Sequence, residues 1–64
     1  MFQTEFFLQD AALPFLRLEG SATAKVGDNI PLNGLAYRVV CRSIETSGRR
    51  SVTKLVLTEL PRPD

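Results

Sequence analysis

Arg38, Arg42, Arg49, Arg50 and Lys54 are the residues of this chain whose chemistry is most readily named. A guanidinium presents its N–H donors in a planar fork that matches phosphate oxygens, and an ammonium adds a compact point charge. Along two extended arms joined at residues 45–49, these cations form a basic stripe. Such a stripe is the footprint expected of a module that contacts nucleic-acid phosphates with little sequence preference. A plainer reading competes with it. An outward sheet face needs charge for solubility, and a tip pair between Arg49 and Glu45 contributes no more than about 1 kcal/mol. The stripe carries no aromatic ring of its own, whereas single-strand binders commonly stack bases on aromatic side chains. An exposed Phe7 or Phe15 would supply that ring.

The same face has an aliphatic half. Val40, Ile44, Val52 and Val56 alternate with the cations, and Phe7 falls on the polar side of its own segment. Together they make the alternative expectation, a protein-interaction or self-assembly module in which these five residues form the interface of a homodimer or of a complex with a protein partner.

The remaining reactive groups point away from catalysis. Cys41 has no histidine anywhere in the chain to activate it and is expected to be a core cysteine. Tyr37 is expected to pack its ring on the core side with its hydroxyl at the rim. Asp28 and Asn29 follow Gly27 and read as turn chemistry. Glu5 and Glu19 are neighbours only if the first two strands pair, and paired carboxylates need a concave pocket that a short chain has little room to build. A non-enzymatic module follows, with no metal, no cofactor and no small-molecule substrate expected.

These residues must be positioned by strands. Residues 35–44 and 51–60 are rich in β-branched and aromatic side chains and carry no Gly or Pro. With Gly48 third in a three-residue loop, they form a long C-terminal β-hairpin. That register sets Glu45 opposite Arg49, Ile44 opposite Arg50, Arg42 opposite Val52, Val40 opposite Lys54 and Arg38 opposite Val56. On the other face it pairs Tyr37 with Leu57, Val39 with Leu55 and Cys41 with Thr53, and this apolar side is the expected core.

Before the hairpin, residues 1–9 alternate with period two, as a first strand does. Residues 11–19 admit a helix capped by Asp10 or a strand, and Pro14 together with the alternation of Leu16-Arg17-Leu18-Glu19 favours the strand. Pro31 confines the short strand Ile30-Pro31-Leu32 to a sheet edge, and Asn33-Gly34 predicts a type I′ turn into the first long arm. Residues 61–64 read as a frayed tail. The sum is an all-β chain, a small antiparallel meander of four to five strands closing into a barrel. The pattern Val26-Gly27-Asp28, Ile30, Leu32, Asn33-Gly34, Tyr37-Arg38-Val39 is similar to the turn and hairpin of SH3-like and OB-like barrels. That likeness implies architecture and not activity.

Composition agrees with one small domain spanning residues 1–64. A chain of 64 residues buries only about 60% of the surface its unfolded form exposes, so its stability margin is thin. Net charge is +1, but it is unevenly placed. Residues 1–32 hold Arg17 and Lys25 against Glu5, Asp10, Glu19 and Asp28, a net of −2, whereas residues 33–63 carry a net of +4. Such asymmetry points to an anionic partner. No leader-like segment and no apolar run of membrane-spanning length is present, so neither export nor a membrane partner is expected. The single unpaired cysteine suits a reducing cytoplasm.

Overall fold

The computed structural model describes residues 1–61. Five strands form: β1 (Phe2–Leu8), β2 (Leu16–Glu19), β3 (Asn29–Leu32), β4 (Leu35–Ser47) and β5 (Arg50–Glu59). Among the described residues no helix forms, so none is long and apolar enough to cross a membrane. The strands make one mixed sheet in the order β2-β1-β5-β4-β3, curled into a half-barrel. Its extents are 46 × 21 × 19 Å, and the thirteen residues of β4, at about 3.3 Å each, account for the long dimension. The frayed tail expected over residues 61–64 lies outside the described residues except for Pro61.

The expected meander is corrected by β1. It pairs antiparallel with β2, its neighbour in the chain, but on its other side it pairs parallel with β5, Thr4 beside Thr53 and Phe6 beside Leu55. A parallel neighbour needs a crossover of a dozen residues or more, and the rest of the chain supplies it. The last strand thereby becomes the central one. Phe6, Tyr37, Val39, Leu55 and Leu57 form the buried core on the inner face of the sheet. Residues 20–25 cross that face, and Ala22 and Ala24 pack on the core. Buried Thr4 anchors the crossing, its hydroxyl donating to the Gly20 carbonyl at 2.8 Å.

Several local signals act as their chemistry requires. Asn33 and Gly34 take φ of 52° and 79°, the two left-handed residues of a type I′ turn, and set Leu32 opposite Leu35. Pro31 lies on β3, at the edge of the sheet, where among the described residues no further strand needs its missing N–H. The 10–19 segment resolves as a strand over Leu16–Glu19. Asp10, the alternative helix cap, takes a φ of 70° and turns the chain back, with Ala11 N–H donating to the Leu8 carbonyl at 3.0 Å.

The register expected for the two long strands is corrected in two places. Ser47 pairs with Arg50, so the turn has two residues, Gly48 and Arg49, with Gly48 at φ 61° in the first position as a type II′ turn demands. A bulge between Val39 and Cys41 then leaves Val40 unpaired. Observed partners are Arg38 with Thr58, Val39 with Leu57, Cys41 with Val56, Arg42 with Leu55, Ile44 with Thr53 and Glu45 with Val52. Tyr37 and Val39 keep the inner face as expected. Beyond the bulge the faces exchange, because an extra residue reverses the alternation. Arg42 and Ile44 now share the inner face with Leu55 and Thr53, and Cys41 leaves the expected core for the exposed outer face.

Gly48 gives a test of this turn. A Cβ at Gly48 would meet nothing within 4 Å, so Gly48→Val carries backbone strain without a clash. The expected loss is about 1–3 kcal/mol, read as a lowered urea midpoint. An unchanged midpoint would mean that the turn forms with another geometry.

Candidate nucleic-acid interface

The two-residue turn decides where the cations stand. Arg49 occupies the second turn position and Arg50 opens β5, so two adjacent guanidiniums project at the end of the sheet. Strand β1 holds this tip. The Met1 nitrogen donates to the Arg49 carbonyl at 2.9 Å, and Ser51 N–H donates to the Met1 carbonyl at 2.9 Å. Parallel pairing places Phe2 beside Ser51, and because β1 begins there Phe2 stays 59% exposed. Arg50 and Phe2, with Met1, Gln3, Glu19 and Gly20, line an open concavity of about 460 Å³.

The stripe expected along one face loses Arg42, whereas Arg38, Arg50 and Lys54 stand together on the outer face. Arg38 lies on the outer face and its Nε donates to Asn29 Oδ1 at 3.3 Å. Arg42 is carried to the inner face by the bulge, where Nη2 reaches the Ala22 carbonyl at 3.5 Å. Lys54 is on the outer face and pairs with Glu45 Oε1 at 3.1 Å, so Glu45 meets Lys54 instead of Arg49. Among the described residues the other ion pair joins Arg17 Nε to Glu5 Oε2 at 2.9 Å across the paired strands β1 and β2. Arg49 and Arg50 therefore remain exposed cations with no carboxylate within ion-pair distance among the described residues.

The aliphatic set is also divided. Phe7, Val52 and Val56 are partly buried on the outer face, with Phe7 beside Val56. Ile44 lies on the opposite face, and Val40 is the unpaired bulge residue.

The aromatic residues sort in an unexpected way. Phe15 leans on buried Tyr37, ring centroids 5.9 Å apart, far along the sheet from the tip, so neither it nor Phe7 completes the basic site. Phe2 instead shares the concavity at the tip with Arg50, although period-two alternation over residues 1–9 sets it on the face of buried Thr4 and Phe6. The available signal was its position: the first residue of a strand has a neighbour on one side only, and its inner-face partner across β2 is replaced by Gly20, which has no side chain. Asp28 behaves as turn chemistry, its Oδ2 accepting from Lys25 N–H at 2.9 Å. Comparison with protein families, with curated proteins and with solved structures finds no match to this chain, so what the tip can do follows from its own geometry.

Proposed function

We propose that this chain is a small non-enzymatic β-sheet module, of the SH3-like or OB-like architectural kind, that contacts nucleic acid through the end of its sheet. Arg49 and Arg50 take phosphate oxygens, and Phe2 offers a face on which an unpaired base stacks. The carrying observation is the juxtaposition at one tip of two exposed arginines, with no carboxylate within ion-pair distance among the described residues, and Phe2, 59% exposed. Phosphate contacts carry no sequence information and a ring accepts any base, so little sequence preference follows. A reducing, cytoplasmic setting fits the exposed, unpaired Cys41.

A backbone amide chemical-shift titration with a mixed-sequence single-stranded oligonucleotide tests the proposal. Shifts are expected at residues 1–3 and 48–51 and should reverse as salt rises. Two neutralised phosphates predict a slope of about −1.4 in the logarithm of affinity against that of salt. Absent shifts at low salt, or binding indifferent to salt, would reject it.

A further inference from the structure

The two sides of β4 are unequally used. Strand β5 pairs with one side over residues 37–47, whereas β3 covers the other only over residues 35–38. Val39 ends the covered stretch, its N–H donating to the Asp28 carbonyl and its own carbonyl accepting from Gly27 N–H, each at 2.9 Å. Beyond the bulge, residues 41–47 have no strand on that side among the described residues.

The turn fixes which groups this edge offers. In a two-residue hairpin the flanking residues, here Ser47 and Arg50, exchange hydrogen bonds, and alternation gives the same role to Glu45, Ser43 and Cys41. Arg42, Ile44 and Thr46 consequently direct N–H and C=O away from β5. Proteins usually blunt such an edge. Strand β3 does so with Pro31 and β2 by being four residues long, but residues 41–47 contain neither Gly nor Pro.

We infer that a second copy of this chain pairs antiparallel with this edge, about a two-fold axis at Ile44, joining two five-stranded sheets into one continuous sheet. The reason is self-complementarity. A two-fold axis normal to the sheet brings together residues of the same pleat, so only alternate registers are open. With the axis at Ile44, Ile44 meets its own copy, Arg42 meets Thr46 and Ser43 meets Glu45. The outward groups of residues 42, 44 and 46 then all find partners, about six hydrogen bonds. Moving the axis to Glu45 or to Arg42 sets like charges face to face, which is destabilising. Moving it to Ser43 sets Arg42 against Ile44 and runs Thr46 into the Val40 bulge. Two further observations favour the Ile44 axis. Ile44 is 54% exposed although it stands on the core face, and the second copy covers it. Each Glu45, diagonal to its copy in this register, already holds Lys54 at 3.1 Å.

The edge is separate from the tip, since Arg49 and Arg50 lie outside the paired stretch. Sedimentation velocity on the full chain, from micromolar to millimolar concentration, should show the mass doubling. Ile44→Lys opposes two ammonium groups at the axis and should weaken the dimer at least about tenfold. Ile44 is exposed in the single chain, so circular dichroism should show the variant folded. The register has its own readout. In a Cys41→Ser background, Ile44→Cys should oxidise to a covalent dimer, because a hydrogen-bonded antiparallel pair holds its Cα atoms about 5.5 Å apart, within disulfide reach. A chain monomeric throughout overturns the inference. So does a dimer indifferent to Ile44→Lys that fails to cross-link through residue 44, and so does growth into fibres, which a closed two-fold contact does not produce.

Discussion

Leu55→Ala is expected to cost about 2–5 kcal/mol, the range for deleting a fully buried leucine where the site collapses only partly. Leu55 is 0% exposed at the middle of the central strand, with Phe6 of β1 on one side and Arg42 of β4 on the other. Both neighbours are hydrogen-bonded strands that cannot close in without losing their own register, so the cavity stays. The effect is large because the whole is small. At about 0.05–0.15 kcal/mol per residue, a chain of this size has about 3–10 kcal/mol to lose. Urea unfolding followed by far-ultraviolet circular dichroism should show the midpoint falling by about a fifth or more, or no folded baseline at all. Leu13→Ala, at an exposed position, should stay within about 0.5 kcal/mol and serves as the control. A Leu55→Ala variant within 1 kcal/mol of the parent, on the order of an exposed substitution, would place the core elsewhere.

That core also shows how far the sequence could be read. Leu55, Leu57, Tyr37 and Val39 fall on the inner face because period-two alternation fixes a face wherever a strand is continuous. Asn33-Gly34 and Pro31 were legible because each has one low-energy use. Gly48 was not, since a left-handed glycine fits the third place of a three-residue loop as well as the first place of a two-residue one. The bulge at Val40 was hidden for a related reason: it is made by one ordinary residue with no compositional mark. These two local choices carried Arg42 across the sheet and out of the stripe, and exposed Cys41. The parallel pairing of β1 with β5 was hidden differently, because alternation specifies a face and not a neighbour. That pairing is what brings Phe2 to Arg49 and Arg50, so the aromatic part of the candidate site was beyond reach of local pattern.

The double variant Arg49→Glu/Arg50→Glu should therefore weaken nucleic-acid binding at least about 100-fold at low salt. Hydrogen bonds to charged groups contribute about 1.5–3 kcal/mol each, and the new carboxylates repel the phosphates that the guanidiniums held. Both side chains are exposed at the end of the sheet, so stability should change by no more than about 0.5 kcal/mol. The fluorescence anisotropy of a labelled oligonucleotide measures the loss, and two further variants assign it. Lys54→Gln should change little, because Glu45 already neutralises that ammonium at 3.1 Å. Phe2→Ala should lower affinity by about 1–3 kcal/mol while leaving the salt slope intact, since stacking releases no counterions. Arginine reversal that flattens the slope and phenylalanine loss that does not would separate phosphate contact from base contact at the same tip. If Lys54→Gln weakened binding as much as the double variant, the anion would sit along the outer face, and the tip would be only the end of the sheet.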